Sequence, residues 1–219
     1  MPDTPRLKVA FIGSHGVGKT TLCYGLAARL KARDVAVDVV HEIARRCPLP
    51  INEETSVASE SWILHTQIGE ELIAQARYPV VICDRSVLDN YVYLLLAAGK
   101  QPHLEGLVDG WMRGYDLLFH VPIVEEPSPD GVRSADPAFQ TAVDRRLEEE
   151  LAARGLAPQR LDPARRGEWL ERVECAVWER LRPAQMRLPQ LRHSERSEES
   201  GRGEPAGASQ PPDPSLRSG

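Results

Sequence analysis

The sequence predicts an α/β domain built on a mainly parallel sheet. Short apolar runs alternate with stretches of helical periodicity, the order in which strands and crossover helices follow one another. Residues 79–83, PVVIC, are almost wholly apolar, as a strand covered on both faces requires. A glycine-rich bend from Gly13 to Gly18 joins the first apolar run directly to the first amphipathic stretch.

Each element can be justified in turn. Leu7–Ile12 (LKVAFI) reads as a short strand ended by Gly13. Residues 19–32 form a helix that carries Leu22, Leu26 and Leu30 on one face. Residues 35–40, VAVDVV, are rich in β-branched side chains and read as a second strand, and Pro48 and Pro50 break the chain beyond it. Residues 56–76 are helical, with Trp62, Ile63, Ile68, Leu72 and Ile73 as the expected inner face. The third strand, 79–83, is followed by helices over 87–98 and 103–113. Residues 115–121, YDLLFHV, make a fourth strand stopped by Pro122. Residues 125–136 read as a loop, 137–153 as a helix and 156–161 as a short fifth strand. The last helix is expected from Pro163, a good first-turn residue, to Leu181, with Leu170, Val173, Val177 and Leu181 in one stripe.

Composition limits the functions. The 219 residues suffice for one domain with a substantial core. The 27 Lys+Arg against 32 Asp+Glu give a formal net charge of −5, which lacks the basic footprint of a nucleic-acid binder. No apolar run approaches the roughly 18–20 residues that cross a bilayer. The first residues run straight into a strand, so no signal peptide and a cytoplasmic location are expected. The four cysteines, Cys23, Cys47, Cys83 and Cys175, form no CxxC pair. Cys23, Cys83 and Cys175 sit among apolar neighbours and read as small buried hydrophobes in a reducing compartment. From residue 191 the chain is Gly-, Pro- and polar-rich and cannot bury enough apolar surface to offset its ordering entropy. Residues 191–219 are therefore expected to be a disordered tail, and 5–190 the folded domain.

Gly13-Ser14-His15-Gly16-Val17-Gly18-Lys19-Thr20 fits G-x-x-x-x-G-K-[ST] in full, between a strand and a helix. The glycines let successive backbone N–H groups turn inward toward phosphate oxygens, and the helix N-terminus adds its positive end. Lys19 can reach the β- and γ-phosphates, and the Thr20 hydroxyl can coordinate Mg²⁺. Thr21 follows at the end of the loop. His15 is expected to face solvent, near enough to the phosphates to permit a contact. These features predict a bound nucleotide with Mg²⁺, and the resemblance given below makes it ATP.

In parallel sheets ligands bind at the carboxyl ends of strands. The second strand ends in His41-Glu42, with Arg45 and Arg46 following, and the third in Asp84-Arg85-Ser86. Asp84 lies one residue past an apolar run and so beside the phosphate loop, where it can hold Mg²⁺ or accept a proton from an attacking hydroxyl. Arg85 can bridge to Glu42 or clamp an anion. Residues 125–150 occupy the place of a lid. Arg133 is the lid cation expected to meet phosphate or substrate, whereas Arg145 and Arg146 also fit a solvated helix paired with Glu148–Glu150. Trp62, Tyr91, Tyr93 and Trp111 could line an acceptor pocket or belong to the core.

With GSHGVGKTT, VVHEIARRCP, VICDRSVLDNYVY and DGVR in hand, residues 6–181 resemble the small P-loop kinases. The likeness is to AAA-type ATP-binding proteins that resemble the nicotinamide riboside kinase domain, and more distantly to deoxynucleoside and thymidylate kinases. It implies the P-loop NTPase fold with a five-stranded parallel sheet in the order 2-3-1-4-5. It also implies phosphoryl transfer from ATP to a hydroxyl of a small, nucleoside-like acceptor. By resemblance Glu42 takes the role of base. Asp84-Arg85-Ser86 matches an acid-Arg-Ser motif with Asp in place of Glu, so base and metal roles remain exchangeable between Asp84 and Glu42. The alternative is an ATPase or nucleotide-dependent switch read by a protein partner. A GTPase is disfavoured because no Asn-Lys-x-Asp segment occurs.

Overall fold

The computed structural model describes residues 6–51, 54–125 and 136–185. Five strands, β1 (Leu7–Ile12), β2 (Val37–Val40), β3 (Val80–Asp84), β4 (Leu117–His120) and β5 (Gln159–Arg160), form one sheet in the order β2-β3-β1-β4-β5. Every pairing is parallel. This is the order the resemblance implies. The register sets Phe11 beside Asp84 and Phe119, so the carboxyl ends of β3, β1 and β4 reach one edge together.

Strand alternation divides the core in two. Val9 and Phe11 point to a layer shared with α1 (Lys19–Lys31) and α6 (Trp169–Gln185), where Leu22, Leu26, Leu30, Val173, Val177 and Leu181 are buried. Phe11 and Phe119 stack there with ring centroids 5.6 Å apart. Burying one such ring is worth roughly 2–3 kcal/mol. Ala10 and Ile12 point to the opposite layer, built by α2 (Val57–Arg77), α3 (Val87–Ala98), α4 (Pro102–Met112) and α5 (Pro137–Ala153). No described helix is long and apolar enough to cross a membrane.

Three expectations are corrected. The inner face of α2 does not include Leu72 and Ile73, although Ile63 is buried and Ile68 packs partly buried against the core as expected. Leu72 is 54% and Ile73 50% exposed, while Ser59, Glu60, Ile63, Leu64, Gln67, Glu71 and Ala74 are buried. The helix turns a largely polar stripe inward because that stripe serves two polar clusters: Glu71 holds the Lys8 ammonium at 3.0 Å, and Glu60 faces a cavity described below. The last helix starts later than expected. Pro163–Glu168 is a 3-10 turn capped by the Asp162 carboxylate, and Arg165 leaves helical geometry at φ −117°, so α6 proper begins at Trp169. Cys175 is exposed, whereas Cys23 and Cys83 are buried as expected, and burial pushes both of those thiols well above their usual range. The tail from residue 191 lies outside the described residues.

Candidate active site at the carboxyl edge of the sheet

The loop after β1 has the backbone that its glycines permit. Gly13 sits at φ +135°, and a Cβ there would come within 2.6 Å of the Val121 carbonyl oxygen. Gly18, at φ +94°, forms the left-handed step into α1. Both positions exclude ordinary side chains, the first by collision with backbone and the second by conformation. The loop is braced from two sides. Its Gly13 N–H donates to Asp89 Oδ1 at 2.9 Å, and the same Asp89 accepts from Ser86 N–H at 2.8 Å in the capping box of α3. From α5, the Gln140 amide donates to the His15 carbonyl at 2.8 Å, and the Ser14 hydroxyl donates back to the Gln140 carbonyl at 2.8 Å.

The Lys19 ammonium spans this loop, donating to the carbonyls of Gly13 (2.7 Å) and Ser14. Burial, followed by the Arg85 guanidinium, lowers its pKa to about 8. The next hydroxyl, Thr20 Oγ1, donates to Asp84 Oδ2 at 2.5 Å, so the start of α1 and the end of β3 present two hard oxygens side by side. Thr21 is exposed, one residue further into the helix.

Glu42 lies two residues beyond β2 and is 6% exposed. Arg85 Nε donates to its Oε1 at 2.8 Å, and Arg45 Nε, from the 3-10 turn Ile43–Arg46, donates to its Oε2 at 2.9 Å. Arg85 itself adopts φ +95°, a left-handed conformation that costs a non-glycine residue of order 1 kcal/mol or more. Hydrogen bonds hold it on both sides: its N–H donates to the Phe11 carbonyl at 3.2 Å, and Gln67 Nε2 donates to its carbonyl at 3.3 Å. The guanidinium lies 5.1 Å from the Tyr93 ring centroid. Glu42, Arg85, Tyr93, Asn90 and Glu60 line a narrow cleft of about 30 Å³, with His15 of the glycine loop on its wall. A second, wider cleft of about 360 Å³ lies along Thr20, His41, Arg46, Glu70 and Asp84, with Glu42 and Arg45 shared between the two.

A model of the AAA domain family matches residues 8–172. The chain belongs to the AAA domain family. It is a P-loop member of that family, with the five-stranded order given above. Among solved structures it is similar to NadR in complex with NAD and AMP-PNP, at 22% identity and a TM-score of 0.63, covering 80% of this chain and 49% of that one. It is likewise similar to NadR in complex with NR, at 22% identity and a TM-score of 0.60, covering 80% of this chain and 52% of that one. The chain therefore spans about half the length of these NadR chains, and identity at this level speaks to fold. No curated protein matches.

Against this P-loop frame the sequence-predicted residues distribute as follows. Lys19, Thr20, Asp84, Arg85 and Glu42 converge at the sheet edge with Gly13, Ser14, Gly16, Val17 and Gly18 beside them. His15 does not face solvent. It is 3% exposed, its Nδ1 lies 3.2 Å from the Tyr93 hydroxyl, and its ring tilts against Phe139 at 5.8 Å. Arg133 lies outside the described residues. Arg145 pairs with Glu149 at 3.8 Å on the exposed face of α5, the solvated-helix pattern, whereas Arg146 is half-buried and pairs with the buried Glu150 at 2.7 Å. Of the four aromatics, Tyr93 lines the cleft, while Tyr91 donates to Glu105 and Trp111 to Glu71, away from it. Asp89, Gln140, Glu60 and Asn90 carry no weight in the sequence reading. For Asp89 a signal exists, because Ser86-x-x-Asp89 has capping-box spacing. For Gln140, on a helix remote in sequence, none does.

Proposed function

We propose that this domain transfers the γ-phosphoryl group of ATP to a hydroxyl of a small, nucleoside-like acceptor. The observation that carries the reading is the position of Glu42, which lines both the narrow cleft that His15 of the phosphate loop also lines and the wider cleft beside Thr20 and Asp84. An acceptor seated there would have its hydroxyl next to the triphosphate, the proximity on which phosphoryl transfer depends. NadR chains with a nucleotide analogue in one structure and NR in the other support the same pairing of ligands.

In this mechanism the backbone N–H groups of residues 13–18 and the Lys19 ammonium hold the β- and γ-phosphates. The acceptor oxygen forms a bond to the γ-phosphorus as the bond to the bridging oxygen breaks, and the electron pair leaves with ADP. Glu42 orients the acceptor hydroxyl and takes its proton. The division of labour proposed for the two acids is supported by their surroundings: Asp84 accepts from Thr20, whereas Glu42 lines both clefts. Thr20 and Asp84 offer hard oxygen donors suited to Mg²⁺, which when bound would neutralise phosphate charge. Arg85 steadies Glu42 and offers positive charge to the group in transit. Arg133 is assigned to the lid on sequence grounds.

The test is ADP release with ATP and Mg²⁺, with and without a panel of nucleosides that includes nicotinamide riboside. The expected result is acceptor-dependent ADP and a phosphorylated product. ADP release indifferent to every acceptor, yet altered by a protein partner, contradicts this reading and favours a nucleotide-dependent switch. Glu42→Gln is expected to lower transfer by roughly 10²-fold or more while ATP affinity stays within about twofold. Equal loss of both would remove Glu42 from the chemistry.

A further inference from the structure

Arg85 holds Glu42 from a backbone conformation that its side chain disfavours. A non-glycine residue at φ +95° persists only where its surroundings over-determine the backbone. Both peptide units that flank Arg85 are held. The preceding one donates its N–H to the Phe11 carbonyl of β1 at 3.2 Å. In the following one, the Ser86 N–H donates to Asp89 Oδ2 at 2.8 Å and the Arg85 carbonyl accepts from Gln67 Nε2 at 3.3 Å. Phe11 belongs to the sheet, and Asp89 caps α3 and braces Gly13, so both have other work.

Gln67, on α2, differs from them. It is fully buried, and its Oε1 has no hydrogen-bond partner among the described residues. A buried amide with an unmatched oxygen is costly, and an apolar side chain of the same length would fill the space without that cost. The offset lies in its two N–H bonds. One goes to Glu71 Oε1 at 2.9 Å. That carboxylate also accepts from Lys8 (3.0 Å), Trp111 (2.7 Å) and Tyr115 (2.6 Å), so it is well satisfied without Gln67. The other N–H goes to the carbonyl of the strained residue.

We propose that Gln67 is a positioning residue of this site: anchored on Glu71, its amide fixes the Arg85 carbonyl, holds Arg85 in the left-handed conformation and so keeps the guanidinium on Glu42. Arg85 Nε donates to Glu42 Oε1 at 2.8 Å, with both side chains buried. Relaxation of Arg85 to negative φ redirects its side chain and breaks that bond. For turnover this rests on the kinase reading; for the conformation of Arg85 it does not.

The test uses Gln67→Met and Gln67→Leu, which remove both donors while filling the space with two different shapes. Trp111→Phe is the control, because it removes a donor to Glu71 and none to Arg85. NMR follows the Arg85 Nε–H resonance, assigned by its loss in Arg85→Lys, and the strong intraresidue HN–Hα NOE that positive φ produces. Exchange of the Nε–H with solvent is expected to quicken by roughly tenfold or more in both Gln67 variants and to stay within about twofold in Trp111→Phe. The Arg85 NOE is expected to weaken in the Gln67 variants alone. In acceptor-dependent turnover Gln67→Met is expected to lower kcat by roughly tenfold, with the KM for ATP within about twofold.

An Arg85 that keeps its protection and its NOE in both Gln67 variants overturns the inference. So does an equal loosening in Trp111→Phe, which would assign the effect to the Glu71 network as a whole. Gln67 variants too unstable to give a folded spectrum would make Gln67 a residue of the fold rather than of the site, and overturn it as well. A loosened Arg85 with unchanged kcat removes its link to transfer. If wild type phosphorylates no acceptor, the kinase reading fails and the Arg85 spectra still decide the role of Gln67.

Discussion

Lys19 carries its ammonium into a place where burial works against the charge. With its pKa lowered to about 8 by desolvation and then by Arg85, a large share of the free protein at pH 8 holds the amine neutral. A polyanion beside Nζ favours the charged form, so nucleotide binding at pH 8 should take up a proton fraction of order 0.5, falling toward zero at pH 6.5. Calorimetric titration in buffers of different ionisation enthalpy reads this directly. A proton uptake that survives in Lys19→Ala assigns it elsewhere. Glu60 titrates in the opposite sense. Its folded value, about 7, lies above the ordinary 4.5, so the folded state keeps a proton that the unfolded chain releases. Stability is therefore lost as pH rises from about 4.5 through 7. The cause is desolvation, only partly offset by the Thr55 hydroxyl and the Arg85 charge. Glu60→Gln is expected to match wild type near pH 5 and to be more stable at pH 8, by no more than roughly 3 kcal/mol. An unchanged difference across that range in urea unfolding would place the Glu60 carboxyl in a more polar setting.

At the scale of elements, α2 shows what periodicity could and could not reveal. The helix itself was legible in residues 56–76, and so were the other helices and the five strands, because apolar runs and breaks follow from local chemistry. Its facing was not. Leu72 and Ile73 look like core residues, yet the buried stripe runs through Glu60, Gln67 and Glu71. The reason is non-local: Lys8 is the second residue of the first strand, and its buried ammonium requires a carboxylate. Glu71 supplies it at 3.0 Å while also accepting from Gln67, Trp111 and Tyr115. Gln67 extends the network to the Arg85 carbonyl. Glu71→Ala would leave a buried ammonium unpaired, and a loss of about 3–5 kcal/mol in unfolding free energy is expected. A loss below about 1 kcal/mol would show that the pair is solvated. The phosphate loop was readable to the residue because glycine, lysine and threonine at fixed spacing have few other uses. The braces on it, Asp89 and Gln140, come from helices far along the chain and depend on packing. His15 shows the same limit: its loop position is written in the motif, but its burial against Tyr93 and Phe139 is set by α3 and α5.

In the whole molecule the sheet order brings these parts together. β1 lies between β3 and β4, so the loop after β1 opens beside Asp84, and β2, next to β3, delivers Glu42 to the same edge. One edge therefore holds the glycine-loop cradle, a hydroxyl–carboxylate pair and the clefts proposed to take the acceptor, all on backbone fixed by parallel pairing. The clefts beside Glu42 were the least legible part of the sequence, because lining residues such as Asn90 and Glu60 belong to helix faces rather than to a motif. The proposed transfer depends on the cradle first binding a nucleoside triphosphate. Isothermal calorimetry of the full chain with ATP and Mg²⁺ tests that directly. The account predicts saturable one-to-one binding that weakens by roughly tenfold or more in Lys19→Ala. Folded protein that gives no binding heat with ATP at several temperatures, or a Lys19→Ala variant that binds as wild type does, would contradict it.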